Sequence, residues 1–357
     1  MHIGILTGGG DCPGLNAVIR AVTLSLINDA GARVTGIRRG FLGLLTREVL
    51  ALDADAVAGI LAEGGTILGT HNRCDPFHYF GAQGADVSAQ AMAYAKELGL
   101  DALVVIGGDG SMAIAHRFAQ IGLPVVGVPK TIDNDLYGTD RSFGFDSATT
   151  VVAEALDRLR STARSHGREM VLETMGRYAG WIALEGGLAG GADVILLPEL
   201  PYTLDAVLAR CRAREKREGY TLVCVAEGAS AEGAGLTVAR TLADSPDPLR
   251  LGGIGAQLAQ ALEPQLDSEV RATLLGHLQR GGTPTAFDRV LSSRFGYAAA
   301  ILVRDKAWGQ MVALQGADIV SVGLDTVAGR NRRVPAGHEL LDVAHGLGVC
   351  LGQASGA

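Results

Sequence analysis

At 357 residues and 48% hydrophobic composition, the chain is long enough for one large core, or for two cores packed across a cleft. A formal net charge of -7 with no long Lys/Arg run excludes a nucleic-acid surface, which needs clustered cations. No window nears the roughly 20 consecutive apolar residues that span a bilayer, so no membrane role is expected.

In chain order, Ile3 to Leu6 reads as a strand, Leu15 to Ala30 as a helix and Val34 to Ile37 as a second strand. That alternation is the βαβ signature of a parallel sheet. Ala102 to Ile106 (ALVVI) reads as a strand buried on both faces, and Pro124 to Val128 (PVVGV) follows after a helix-length segment. A long helix is predicted from Ser147 to about Ser165, then a strand over Glu169 to Glu173, an apolar stretch from Gly176 to Gly187, and buried strands over Val194 to Leu197 and Thr221 to Ala226. Arg210 to Arg217 falls on a helix whose basic face is expected to be solvated. Arg271 to Leu278 is a further apolar segment, and the tail from Gly352 reads as disordered.

Cys12, Cys74, Cys211, Cys224 and Cys350 are scattered, with no C-x-x-C pair, which disfavours a disulfide framework and a zinc site. Reduced thiols are expected. The opening MHIGILTGGG has no basic n-region and no A-x-A pattern, so a cytoplasmic location is expected. The 50 glycines cluster at the ends of apolar runs, where they permit positive φ and close approach of backbone to a ligand. In open α/β sheets, ligands bind beyond the carboxyl ends of strands, so chemistry is sought there.

Three segments stand at such ends. Thr7 to Asn16 (TGGGDCPGLN) offers backbone N–H groups to phosphate oxygens at a helix N-terminus, or else is a tight turn. Gly107-Gly108-Asp109-Gly110-Ser111 admits a phosphate chain and places Asp109 to ligate Mg²⁺. Pro129-Lys130-Thr131-Ile132-Asp133-Asn134-Asp135 sets two carboxylates about an asparagine; either Asp133 or Asp135 suits a base that accepts a hydroxyl proton during phosphoryl transfer, and an Asx-rich turn is the alternative. Further along, Arg168, the Met175-Gly176-Arg177 turn, and Arg271, His277 and Arg280 in RATLLGHLQRGG offer groups that match phosphate geometry, or ordinary surface ion pairs.

Taken in order, TGGGDCPGLN, GGDGS, PKTIDND, MGRYAG and GHLQRGG resemble the 6-phosphofructokinase family from Met1 to about Val349. The resemblance implies two Rossmann-like three-layer α/β domains with mainly parallel sheets and an active site in the cleft between them. It implies transfer of a phosphoryl group from a polyphosphate donor to the 1-hydroxyl of fructose 6-phosphate, a step of glycolysis, with Mg²⁺ required. Residues 1–143 plus about 281–325 would form the donor domain, and about 144–280 plus about 326–350 the sugar-phosphate domain, followed by a disordered tail, 352–357. By the same resemblance, Gly9 and Gly107 to Ser111 cradle the donor, Asp109 holds the metal and Arg73 bridges donor phosphates. Asp133 is the general base, with Thr131, Asp135 and Arg177 as its catalytic neighbours. Thr131, Asp133, Asp135, Arg168, Met175, Gly176, Arg177, Glu227, Arg271, His277 and Arg280 hold the sugar phosphate. The family implies a homo-oligomer, tetramer or dimer, in which Arg168 and Arg271 complete a neighbouring subunit's site.

Two positions bear on the donor. Lys130 stands where relatives that use pyrophosphate carry lysine, but Gly110 stands where they carry an aspartate whose bulk and charge repel the α-phosphate of ATP. The missing exclusion device favours ATP, with pyrophosphate as the alternative. Phe41, in GFLGL, is expected to offer a flat surface to adenine. A non-catalytic sensor on the same fold would lack Asp109, Asp133 or the arginines, and a lipid or dinucleotide kinase would share only GGDG. For allosteric control, Arg20 and Arg160 match effector-binding positions, whereas the stretch near Asp53 to Asp55 lacks the expected arginine.

Overall fold

A computed structural model describes residues 1–241 and 248–353. Chain order in the first half is β1 (His2–Thr7), α1 (Leu15–Ala30), β2 (Arg33–Ile37), α2 (Leu42–Thr46), β3 (Val49–Leu52), α3 (Ser88–Glu97), β4 (Ala102–Gly107), α4 (Asp109–Gln120) and β5 (Val125–Pro129). Next come α5 (Phe145–His166), β6 (Glu169–Thr174), α6 (Trp181–Ala189), β7 (Val194–Leu196), α7 (Leu204–Arg217) and β8 (Thr221–Ala226). The chain continues with β9 (Val238–Thr241), β10 (Leu249–Leu251), α8 (Ile254–Leu262), β11 (Val270–Leu274), α9 (Ala286–Arg304), β12 (Gln310–Gln315), β13 (Asp318–Gly323), α10 (Leu324–Val327) and α11 (Glu339–Gly346).

Two sheets result. The larger runs β13-β12-β5-β4-β1-β2-β3, the smaller β11-β6-β8-β7, and β9 with β10 forms a separate hairpin. Pairing is parallel except at β2–β3 and β12–β13, which close the two edges of the larger sheet, and in the β9–β10 hairpin. Antiparallel edges need only short connections, whereas each parallel pair needs a crossover helix. The strand after β5 in the larger sheet is β12, so the smaller sheet is inserted between them in the chain.

Period-2 side-chain alternation decides the layers. On β4, Ala102, Val104 and Ile106 face one buried cluster and Leu103 and Val105 another. The first of these clusters continues into the smaller sheet through Leu172, Trp181 and Leu222, so one apolar mass joins both sheets. A third cluster, with Val171, Val223, Cys211 and Ile254, lies beneath the far face of the smaller sheet. The fold class expected from the sequence is the one observed, and every strand expected there is present within one residue at each end.

Within the apolar segment from Arg271 to Leu278, β11 is an edge strand, and Leu274 and Leu278 are exposed. Two expectations are corrected. The basic face of α7 is not simply solvated, because Arg214 pairs with Asp193 at 3.0 Å and Arg210 reaches the same carboxylate. The tail is fixed at its start, where the Gly352 carbonyl accepts from Thr203 N at 2.8 Å and Cys350 bridges to Val194 at the β7 edge; residues 354–357 lie outside the described residues. The five thiols are free, and among the described residues no helix is long and apolar enough to cross a membrane.

Candidate active site

The loops after β1, β4 and β5 converge because those strands are adjacent and parallel. Gly8 N donates to Ile106 O at 2.8 Å, and Lys130 N to Gly107 O at 2.9 Å. Glycine is required by packing here: a Cβ on Gly107 would collide with Ser111 Cβ, and one on Gly8 would lie 2.5 Å from Ser111 Oγ. Gly9 takes φ +77, in the left-handed region, beside the Lys130 ammonium. Gly110 differs from its neighbours, since a Cβ there meets nothing within 4 Å.

Lys130 is 3% exposed and its Nζ bonds the Gly10 carbonyl, tying the third loop to the first. Burial lowers its pKa, with the nearby Arg280 adding to that and Asp133 opposing it. Arg280 donates from Nη1 to Asp11 O at 3.2 Å, bringing a second cation to this loop. Thr70 bonds the Gly9 carbonyl and so fixes the stretch that carries Arg73, whose guanidinium lies 5.0 Å from the centre of the Phe80 ring.

The loop after β5 is held from within. Thr131 Oγ1 accepts from Asp133 N at 3.0 Å and donates to Asp135 Oδ1 at 3.2 Å. Asn134 adopts φ 52, a conformation rare for a side-chain-bearing residue, and Ser142 N donates to its Oδ1 at 3.0 Å. Asp133, Asn134 and Asp135 are all buried. Burial, then the charges of Asp133 and Asp109, push the Asp135 carboxyl well above its usual range. Asp133 Oδ1 has no hydrogen-bond partner among the described residues. Glu169 Oε2 and Asp288 Oδ1 are also without a partner among those residues, but only Asp133 Oδ1 of the three lies in the loop that meets the glycine-rich turns, where a ligand group can satisfy it.

From the smaller sheet, the turn after β6 faces this loop. Arg177 adopts φ 53, its backbone N donates to Glu227 Oε1 at 2.9 Å, and its Nη1 lies 3.9 Å from Asp109 Oδ1. Gly176 has φ 141, and a Cβ there would lie 2.6 Å from Ala179 O. Burial raises the Glu227 carboxyl to about 7 despite the Arg177 amide. Met175 N donates to Gln279 Oε1 at 2.8 Å, which binds the turn that carries His277 and Arg280 to the end of β6.

The structure therefore brings Gly9, Gly107 to Ser111, Lys130, Thr131, Asp133, Asp135, Met175 to Arg177, Glu227 and Arg280 together where the loops of the two sheets meet, with Arg73 and the exposed His277 on loops tied to them. Arg168 and Arg271 are not in that group. Arg168 Nε pairs with Glu269 at 2.8 Å and Arg271 Nη2 with the same carboxylate at 3.0 Å, at the β11 edge. Phe41 is corrected: it is 2% exposed and stacked on Phe118 at 5.6 Å, within the core, so its ring has no free face for a base. Arg160 bonds the carbonyls of Gly190 and Gly191 at the end of α6. Gln279, Glu199 and Arg332 carry structure around the cleft without having been singled out. Gln279 sits within the GHLQRGG motif and is fully buried, and nothing local in the sequence marks its bond to Met175.

A family model described as phosphofructokinase matches residues 2–303. An ATP-dependent 6-phosphofructokinase 2 of Clostridium perfringens is 48% identical over 355 residues, covering 97% of each chain. A pyrophosphate--fructose 6-phosphate 1-phosphotransferase of Amycolatopsis methanolica is also 48% identical, over 335 residues, 94% of this chain and 96% of that one. Among solved structures, a phosphofructokinase from Saccharomyces cerevisiae matches with a TM-score of 0.79 and 31% identity, over 91% of this chain and 45% of the yeast chain.

Proposed function

The chain belongs to the phosphofructokinase family, and we propose that it transfers the γ-phosphoryl group of ATP to the 1-hydroxyl of fructose 6-phosphate. What carries this reading is the Asp133 carboxylate oxygen, buried and without a partner, in the cleft where the glycine loops of one sheet meet the Arg177 turn of the other. A base in that position accepts the hydroxyl proton as the oxygen closes on phosphorus. Thr131 holds the Asp133 amide and the Asp135 carboxylate, so the backbone that carries the base is fixed without a ligand. Gly9 and Gly107 to Ser111 accommodate the donor phosphates, with Arg73 and Lys130 contributing positive charge. Arg177, Glu227, Met175, Gly176, His277 and Arg280 form the sugar-phosphate side, with arginines on phosphate and Glu227 and His277 on hydroxyls.

Asp109 fits magnesium. Its side chain is 35% exposed at the cleft and supplies the hard oxygen that Mg²⁺ takes alongside donor phosphates and water. When bound, the ion neutralises charge on the phosphates, and Asp109 fixes where it sits. Residues 1–143 plus about 281–325 form the donor domain and about 144–280 plus about 326–350 the sugar-phosphate domain, in keeping with the two sheets. The shared Glu269 partner of Arg168 and Arg271, beside the exposed Leu274 and Leu278, supports a homo-oligomer in which these arginines serve a neighbouring site.

Pyrophosphate is the second reading, favoured by the Lys130 ammonium within the donor loops and by the loss of Phe41 as an adenine surface. Open space at Gly110 favours ATP. Phosphorylation of fructose 6-phosphate with each donor in turn decides: turnover with ATP is expected, and turnover with pyrophosphate alone overturns the donor assignment.

A further inference from the structure

The base-bearing loop, 131–135, and the sugar-side turn, 175–180, belong to different sheets, yet a catalytic site needs their spacing fixed to within a fraction of an ångström. One segment touches both. Asn331 bridges Leu136 in antiparallel register, directly after the base loop. Arg332 N donates to Asp135 O at 2.6 Å, and Arg332 Nη1 donates to Asn134 O at 3.2 Å. The carbonyl of Asn134 belongs to the residue with φ 52, so the guanidinium holds the least favourable backbone conformation in the loop.

On its other side, the Arg332 guanidinium lies 4.0 Å from the centre of the Trp181 ring, and Trp181 Nε1 donates back to Arg332 O at 3.1 Å. Trp181 is the first residue of α6 and follows directly on the Arg177 turn. Two residues beyond Arg332, Val334 N donates to Glu199 Oε1 at 2.9 Å. The same carboxylate accepts Gly180 N at 3.0 Å. Residues 331–334 are thus a strap hydrogen-bonded to the loop of one sheet and to the turn of the other.

We propose that Arg332 is a positioning residue for phosphoryl transfer: it fixes the Asp133 loop against the Arg177 turn by bonding Asn134 O while stacking on Trp181. It touches no reacting group, and its role acts through Asn134 and Trp181. This rests on the phosphotransferase reading, and the test separates the two.

Arg332→Ala leaves the backbone bond to Asp135 O in place and removes only the guanidinium. Arg332→Lys retains a donor and a cation for the Trp181 face. Turnover, both KM values and the melting temperature of each purified variant are measured beside wild type. The expectation is a kcat at least about tenfold lower in Arg332→Ala, with the donor KM within about twofold of wild type and the melting curve little moved, and substantial recovery in Arg332→Lys. Wild-type kcat in Arg332→Ala overturns the inference, as does an Arg332→Lys variant no better than Arg332→Ala, or a loss that only tracks the unfolded fraction. Should wild type itself turn over neither donor, the phosphotransferase reading fails, and amide exchange across 132–136 decides the inference. Faster exchange in Arg332→Ala than in wild type supports it, and equal exchange overturns it.

Discussion

Gly110 is the residue at which structure sharpens a sequence argument most. Three glycines of the two donor loops are dictated by the protein itself: Gly8 and Gly107 by Ser111, and Gly9 by its backbone φ. Gly110 has neither reason, because its Cβ position is open and it lies in the first turn of α4. A side chain at 110 is tolerated by the fold and points into unfilled space beside Asp109. Gly110→Asp is therefore expected to leave the melting temperature and the fructose 6-phosphate KM near wild type, while kcat/KM for ATP falls by about tenfold or more through charge repulsion and lost volume. Undiminished ATP use in the variant would refute the exclusion argument. Phe41 shows the opposite case. Its motif suggested a ring presented to a base, but Phe118, on a helix 77 residues away in sequence, covers it. Which face of an aromatic ring is covered depends on contacts remote in sequence, and no local motif records them.

At the scale of elements, the smaller sheet places acids where they finish other elements. Glu173, at the end of β6, accepts from Gly253 N and Gly255 N and so supplies the cap that the glycine-started helix α8 lacks. Glu169, at the start of β6, is buried; Ser268 Oγ donates to its Oε1 at 3.3 Å, while Oε2 has no partner among the described residues. Burial raises its carboxyl to about 7, with the charges of Glu215 and Asp193 adding to the shift. Because the folded-state value is raised, the native state binds the proton more tightly than the unfolded chain. Stability from this group is full below the ordinary carboxylate range and is lost as pH rises through about 7. Glu169→Gln keeps the shape and removes the ionisation. Its unfolding free energy in urea is expected to match wild type at acidic pH and to exceed it by up to about 3 kcal/mol above neutrality. A gap that does not widen with pH would rule this out. The strands were legible in the sequence because burial on both faces leaves continuous apolar runs such as ALVVI. The run Met311 to Leu314 of β12 carries the same signal and was passed over, whereas the β9–β10 hairpin and the 331–334 strap carry no strong period, and their places are set by partners already folded.

For the whole molecule, the decisive question is whether one chain completes its own site. Asp133, Arg177, Glu227 and Arg280 meet within the chain, while Arg168 and Arg271 pair with Glu269, the residue before the edge strand β11; the Arg271 side chain is 50% exposed, and Leu278, in the turn that follows β11, is 69% exposed. In the proposed homo-oligomer, a second copy would cover this edge strand and its exposed Leu274, and a two-fold relation would place each chain's arginines at its neighbour's site. The sequence could supply the residues of this arrangement but not their separation, since Arg168 and Arg280 look alike until one is seen in the cleft and the other outside it. The two halves of the site are separable by complementation. Arg271→Ala subunits retain their own Asp133, and Asp133→Ala subunits retain the arginine to lend, so each homo-oligomer should lose about 10²-fold or more in kcat/KM for fructose 6-phosphate. Dissociated together and reassociated, they form some sites in which an intact base meets an intact arginine from the neighbouring chain. Activity well above the mean of the two parents is expected in the hybrids, with the fraction of repaired sites following the mixing ratio. If Arg271 served its own chain's cleft, no hybrid site would be whole, and the mixture would stay at the level of its parents at every ratio.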